Sequence, residues 1–396
     1  MSLQQVALAD GVRLLEGKRN WWFLGRGGIA RPGAGHLTPE GSLRSETEHR
    51  LRERGLFSSP PVRSYALTVL TSTHCNPGCG YCFQNTAQDT AGGSRPPRIA
   101  RARLTSPTIT SILGFTERQM ADAGLERLRI LLFGGEPLLN PRGCLELLER
   151  AADIGMTSAW MISNTTLLTP PLARKLSALG LDLVRVTFDG DRADHDRIRV
   201  NRADGGGTFD SIVRNIVRAG EAAPLRWTLR VNVSQETFTG SMRSSTGSRD
   251  RSTPAAVPCT SRGSVMWVSD TPTTCCTPGS SRSTSPGGSG GHWNSVSPSA
   301  ARGARRPCRT CGHTGGRYGA VISADGTLAS RWETAGKPDW EVGTVTGGYR
   351  PETKTGERWV SCEDLYRFDE DARTLAGFRD SVDAALLDYL DETERL

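Results

Sequence analysis

The sequence predicts an α/β fold: a partial barrel of parallel strands followed by a small cysteine-bearing C-terminal domain. Three observations predict it. Between residues 64 and 233, short β-rich runs alternate with helix-length stretches. Those stretches end in Gly, a stop signal because a left-handed residue closes the last helical turn. The rhythm breaks off after SQETF (234–238) and globular texture resumes only at PCRTC (307–311), which sets the barrel apart from the C-terminal region. Repeated strand–helix units imply parallel strands joined by right-handed crossovers, with sites at the C-terminal strand ends.

In chain order, LTPEGSLRSETEHRLRERGLF (37–57) reads as a helix with Pro39 near its first turn, preceded by the aromatic RNWWFLG (19–25). SYALTVLT (64–71), ERLRILLF (126–133), TSAWMIS (157–163), DLVRVTF (182–188) and RWTLRVNV (226–233) are rich in β-branched or apolar residues and fit buried strands. SPTITSILGFTERQMADAG (106–124), GCLELLERAADIG (143–155), TPPLARKLSALG (169–180) and GTFDSIVRNIVRAG (207–220) carry helical spacing. Residues 241–290 then hold 37 Ser, Thr, Arg, Pro or Gly in 50 positions, and 241–307 has no Leu, Ile, Phe, Tyr, Lys, Glu or Gln. Such a stretch buries too little apolar surface to offset the entropy of ordering it. The segment 236–306 is therefore expected to be a disordered insert or the product of a slipped reading frame. A slip would have removed the last strand–helix units and left an impaired copy. Residues 367–396 read as an amphipathic terminal helix.

Size and charge narrow the function. At 396 residues the chain has ample length for an enzyme core. It shows no run of about 18 apolar residues and no signal-peptide pattern, so a cytoplasmic location and no membrane partner are expected. The net charge of +7 is concentrated in 241–307, where eight Arg and two Asp give +6 and leave +1 elsewhere (7 − 6). No binding face for nucleic acid follows from that. In a reducing compartment, ten cysteines suit metal ligation or buried thiols better than disulfides.

HCNPGCGYC (74–82) follows the first predicted strand and packs Cys75, Cys79 and Cys82 into eight positions. Three thiolates from one short loop can hold three irons of a cubane iron–sulfur cluster and leave the fourth iron open. A zinc site short of one ligand, or three unrelated buried thiols, would give the same count. One strand later comes FGGEP (133–137). Cys-x₃-Cys-x₂-Cys with Tyr81 before the last thiol, followed by this turn, resembles the signature of the radical S-adenosylmethionine (SAM) superfamily.

The resemblance implies a (βα)6 partial barrel, a [4Fe-4S] cluster on Cys75, Cys79 and Cys82, and SAM chelated to its open iron. It implies SAM contacts from Gly134, Gly135, Glu136 and Pro137, the glycines letting backbone carbonyls approach the methionine amino group. ISNTTLL (162–168) nominates Asn164, and VTFDGDRADHDRIR (186–199) nominates Thr187, Asp189 and Arg199. Taken locally, Asn164 could only cap a helix, Asp189 only make a turn, and Arg199 only be a solvated charge. His74 and His195 invite an acid–base reading but fit loop residues as well, and Cys144 fits helix packing.

Residues 307–345 resemble the SPASM extension, the auxiliary-cluster domain of peptide maturases. Cys311 and Gly326 fit its pattern, but Arg331 stands where a thiolate is expected, and a guanidinium cannot ligate iron. Cys308, Cys311 and Cys362 remain as auxiliary-cluster candidates; Cys259, Cys275 and Cys276 fall in the aberrant segment and are not assigned. The resemblance implies reductive cleavage of SAM and radical modification of a ribosomally made precursor peptide, with an electron donor such as a flavodoxin or ferredoxin. Sulfatase-maturase-like modification of a protein and a non-catalytic peptide-binding relative are the alternatives. The implied domains are 1–62, which could be a reduced leader-binding module, the core at 63–235, the segment 236–306, the SPASM-like part at 307–366 and the helix at 367–396.

Overall fold

The computed structural model describes residues 6–8, 12–58, 61–79, 82, 84, 99–233, 264–270, 315–359, 380, 383–385 and 387–392. The chain divides into two compact units, one of residues 1–61, 275–307 and 366–396, the other of 62–274 and 308–365. In the first, β1 (Val6–Leu8), β2 (Val12–Glu16), β3 (Trp21–Leu24) and β4 (Ile29–Ala30) form an antiparallel sheet in sequence order. Its side chains alternate between faces, as the period of a strand requires. Leu14 and Phe23 pack with Leu51, while Leu15, Trp22 and Leu24 pack against Ala384 and Leu387. Asp388, in the terminal helix expected from the sequence, accepts from the Trp22 indole at 2.9 Å and from the Lys18 amide at 2.6 Å.

The helix expected over 37–57 is shorter. α1 spans Ser45–Glu53. Ahead of it Gly41 takes φ +80° and Leu37 bridges to Leu43, so a tight turn, not a first helical turn, holds Pro39. A left-handed residue there breaks the helical path.

In the second unit β5 (Tyr65–Ser72), β6 (Leu128–Gly134), β7 (Met156–Ile162), β8 (Leu181–Phe188) and β9 (Arg226–Val233) are parallel and adjacent in sequence order. They lie within one or two residues of the runs read from the sequence. The crossovers are α2 (Ser106–Ala123), α3 (Pro141–Ala151), α4 (Pro170–Ala178), α5 (Arg192–Ile198) and α6 (Phe209–Ala222). Thr105, Asn140 and Thr169 cap α2, α3 and α4 by accepting from amides of the first turn, each with Pro at the helix start, the pairing of cap and preset φ that begins a helix. α5 was hidden in a charged run.

The outer face of this sheet is covered by helices; β5 and β6 are buried on the concave face too, which is why they read as near-continuous apolar runs, whereas β7 and β8 alternate buried with half-buried residues. On the outer face Leu132, Met161 and Val186 pack with Ile112, Leu147 and Ile216 of the helices. On the concave face Leu70, Leu131, Phe133 and Val321 form a smaller cluster joined by Trp160 and Trp332.

Two features extend the sheet beyond the expected strands. Within 236–306 the described stretch β10 (Ser264–Asp270) pairs in parallel with β9, from Ser264↔Trp227 to Asp270↔Val233; SVMWVSD is the apolar run of that segment, and the rest lies outside the described residues. On the opposite side β11 (Gly319–Ile322) pairs in parallel with β5, and β12 (Thr327–Ala329), β13 (Glu341–Thr344) and β14 (Gly348–Tyr349) continue as an antiparallel meander. The C-terminal segment expected as a separate domain is thus hydrogen-bonded into the barrel sheet.

Leu147 is fully buried under the outer core, so Leu147→Ala should cost about 2–5 kcal/mol. Urea unfolding followed by circular dichroism reads this directly; a loss under about 1 kcal/mol would contradict the packing of α3 described above.

Candidate functional site

The cysteine loop leaves the end of β5 and is fastened to the end of β6 by backbone alone. Gly135 donates to the Ser72 carbonyl at 2.9 Å and Glu136 to that of His74 at 2.8 Å. Gly134 has φ +138°, and a Cβ there would stand 2.1 Å from the Ser72 oxygen; one on Gly135 would stand 2.5 Å from that of His74. Real Cβ atoms do not approach that closely, so only glycine fits. Sequence reasoning assigned the missing side chains to a ligand; in the structure the cysteine loop takes up the space.

The loop's other side is strapped to the turn after α5. Gly78 donates to the Val200 carbonyl at 2.7 Å, Arg202 donates to that of Asn76 at 2.9 Å, and its guanidinium reaches the Pro77 carbonyl at 3.1 Å. Cys75, Cys79 and Cys82 consequently line one cavity with Thr73, His74, Gly135 and Arg202. Burial pushes the Cys75 thiol well above its ordinary pKa, with Glu136 and the neighbouring thiols adding; burial also raises Cys79, and Arg199 opposes the rise at both.

Beside the thiols, Glu136 is fully buried and accepts from the Leu138 amide at 3.0 Å, the Ser163 hydroxyl at 2.8 Å and the Asn164 amide at 2.7 Å. Burial raises its pKa from 4.5 to about 7 against those donors. The Asn164 side-chain amide donates to Asn76 at 2.9 Å and lies 3.9 Å from the Cys75 sulfur. It caps no helix, since Thr169 does that for α4. Thr165 beside it takes φ +59°, a strained left-handed turn for a β-branched residue.

Asp189 is buried, ion-paired with Arg199 and held by the Asn232 amide at 2.7 Å. Arg199 is therefore a half-buried ion-pair partner rather than a solvated charge. Thr187 lies half-buried on β8, opposite Arg230 of β9. Pro137 is buried at the start of a short 3-10 turn. His195 is buried within α5, bonded to Thr208 at 3.1 Å, and burial followed by Arg199 lowers its pKa to about 4; its role is packing. His74 faces the cavity, and burial and then Arg101, Arg202 and Arg103 lower its pKa. Cys144 is a buried residue of α3 in the outer core, as expected. Asn76, Ser163, Arg202 and Asn232 were not foreseen; an alternating polar residue at a strand end was the one signal for Asn232.

Residues 69–237 match the profile of the Radical SAM superfamily. This stretch is a radical SAM domain. No curated protein matches the chain in sequence. Among solved structures, anSMEcpe with bound AdoMet is 13% identical, with a TM-score of 0.55 over 84% of this chain and 100% of its own. The same protein with AdoMet and a Cp18Cys peptide is 14% identical, with a TM-score of 0.56 over 85% and 100%. The likeness is one of fold.

A radical SAM domain implies an iron–sulfur cluster, and the donor set fits one. The three thiols face a common cavity, and three thiolates from one loop can each take one iron of a polynuclear cluster. The auxiliary position does not fit. Arg331 is buried, and its Nε and Nη2 both reach a Glu333 carboxylate oxygen at 3.1 Å; Cys308, Cys311 and Cys362 lie outside the described residues. Among the described residues no helix is long and apolar enough to cross a membrane.

Gly134→Ala should force β6 away from Ser72, and anaerobically reconstituted protein should then carry less than about half the wild-type iron; full iron content would contradict the close approach. For Glu136 the folded pKa lies above the unfolded one, so between pH 4.5 and about 7 the folded state holds the extra proton. Its contribution to stability is full below that window and falls as pH rises through it. In metal-free protein, the stability difference between wild type and Glu136→Gln should shift against wild type by on the order of 1–3 kcal/mol from pH 5 to 7.5. Urea unfolding at several pH values checks this, and a flat difference contradicts it.

Proposed function

We propose that the chain is a radical SAM enzyme that modifies a peptide at the cavity lined by Cys75, Cys79 and Cys82. The observation that carries the reading is that these three thiols share a cavity with Gly135, next to the hydrogen-bonded Glu136 and Asn164. A [4Fe-4S] cluster and SAM bound there would together supply a carbon radical able to remove hydrogen from unactivated carbon. The chain's residues position and protect that chemistry. Gly134, Gly135, Glu136 and Pro137 form the turn for SAM's methionine end, and Glu136 holds the backbone of Asn164 so that the Asn164 amide stays beside Cys75. Thr187, Asp189 and Arg199 form the adjoining wall. The Arg199 guanidinium favours the thiolate form of Cys75 and Cys79, the form that ligates iron.

A peptide substrate is supported by anSMEcpe having been solved with bound peptides. A ribosomally made precursor peptide, cross-linked, epimerised or oxidised at a side chain, is the primary reading, with a flavodoxin or ferredoxin as electron donor and residues 1–62 as a leader-binding module. The Kp18Cys and Cp18Cys peptides bound in the anSMEcpe structures support a second reading, a sulfatase-maturase-like modification of a protein Cys or Ser. The Arg331–Glu333 pair weighs against an auxiliary cluster. One on Cys308, Cys311 and Cys362 would raise iron above about four per chain, and Cys311→Ala would bring it back.

Anaerobic reconstitution should give brown protein with about four irons on the core site, and a strong reductant with SAM should yield 5′-deoxyadenosine. Cys75→Ala, Cys79→Ala and Cys82→Ala should each lose both colour and product. Colourless wild-type protein would defeat the reading, and a cluster that cleaves no SAM would leave a peptide binder.

A further inference from the structure

Beside Cys75, three side chains close a hydrogen-bonded ring. The Thr166 backbone amide donates to Oδ1 of Asn164 at 3.0 Å. A main-chain N–H can only donate, so the atom facing it is the Asn164 oxygen, and the Asn164 nitrogen points the other way. The remaining polarities follow in turn. Asn164 Nδ2 donates to Asn76 Oδ1 at 2.9 Å, which leaves Asn76 Nδ2 to donate to the Thr166 hydroxyl at 2.8 Å; that hydroxyl donates to Asn164 Oδ1 at 2.6 Å. An amide nitrogen carries two hydrogens. Asn76 takes one of those on Asn164, and the second is within reach of the Cys75 sulfur, 3.9 Å from the nitrogen. The ring is also anchored from outside. Glu136 accepts from the Asn164 backbone amide at 2.7 Å, and Ser163 from that of Thr165 at 2.9 Å. Asn215, half-buried on α6, donates through one nitrogen to the carbonyls of Thr165 at 2.9 Å and Thr166 at 3.0 Å. Those bonds grip the turn in which Thr165 takes φ +59°, a conformation that persists in a β-branched residue only where its surroundings over-determine it.

We propose that Asn164 tunes the electron affinity of a cluster on Cys75: its second amide N–H donates to the Cys75 thiolate and makes the cluster easier to reduce, while Asn76, Thr166 and Asn215 are positioning residues that hold the amide in that orientation. The inference rests on the cluster-bearing reading above and gives Asn164 a role besides contact with SAM. Uptake of one electron from the donor adds negative charge that the ligating sulfurs share. An N–H aimed at one of those sulfurs stabilises the reduced form more than the oxidised form, which raises the potential. Orientation decides the sign. An amide turned over would present its oxygen to the sulfur and oppose reduction. The ring excludes that arrangement, because a flip would set the Asn164 nitrogen against the Thr166 amide, donor against donor, and leave a buried N–H without an acceptor.

The test uses full-length protein reconstituted anaerobically with iron and sulfide, without SAM, and titrated with a low-potential reductant while electron paramagnetic resonance follows the reduced cluster. Empty protein gives no such signal, so incomplete loading does not move the midpoint. Asn164→Leu, similar in shape but without a donor, should lower the equilibrium constant for reduction about three- to tenfold, the worth of one hydrogen bond. Thr166→Val and Asn215→Leu should shift it in the same direction, and Thr166→Ser, which keeps the hydroxyl, should return it to the wild-type value. In wild-type protein carrying asparagine isotopically labelled at the side-chain nitrogen, pulsed resonance should detect that nitrogen coupled to the reduced cluster. Absence of the coupling in wild type would overturn the proposal whether or not the variants take up a cluster. So would wild-type midpoints in Asn164→Leu and Thr166→Val, since a merely structural role would change stability or iron content and leave the midpoint alone. Unshifted midpoints together with normal 5′-deoxyadenosine formation by wild type would defeat this proposal and leave the enzymatic reading intact. The expected shifts in a protein that makes no 5′-deoxyadenosine would uphold the tuning role and defeat the enzymatic reading.

Discussion

The site depends on one close approach between two pieces of backbone. The end of β6 runs so near the start of the cysteine loop that the carbonyls of Ser72 and His74 occupy the space where side chains of residues 134 and 135 would stand. Because the contact is main chain to main chain, it has no rotamers and fixes the loop to the register of the sheet. Asn76, Pro77 and Gly78 are then held from the other side by residues 200–202. A loop clamped at both flanks presents its thiols to one cavity.

Charge is arranged with similar economy. Glu136, Cys75, Cys79, Arg199 and Asp189 act on one another through charge: Glu136 raises the Cys75 thiol, Asp189 raises the Cys79 thiol, and Arg199 opposes both. Glu136 has donors from Leu138, Ser163 and Asn164. Arg199, by contrast, is committed to Asp189 and still opposes the rise of both thiol pKa values. Ligation of iron demands thiolates, so loading such a site releases protons.

Much of the barrel was legible because its buried strands leave apolar runs, and because the helical stretches 106–124, 143–155 and 169–180 close on left-handed glycines. The cysteine loop and the FGGEP turn were legible as a pair, one strand apart. Other parts were not, for physical reasons. The N-terminal strands are two to five residues long, too short for a period to show. α5 has a single buried residue, His195, in a charged run. The glycines were recognised but their neighbour was not, since nothing local says which backbone will fill an empty Cβ position. Trp332 reaches the concave face only because β11 joins the sheet, a pairing no local pattern encodes.

That pairing bears on how the molecule is made. The Tyr65 hydroxyl meets the Gly316 carbonyl 251 residues further along the chain, and β11 covers the edge of the strand that leads into the cysteine loop. During synthesis β6 to β9 can zip onto one side of β5 as they emerge, but its opposite edge stays bare until the ribosome has finished most of the polypeptide. A bare edge is a template for pairing with another chain, and a partner so distant in sequence arrives late. A nascent chain stalled before residue 319 would therefore tend to associate with its own kind through the strand that ought to shelter the reactive centre.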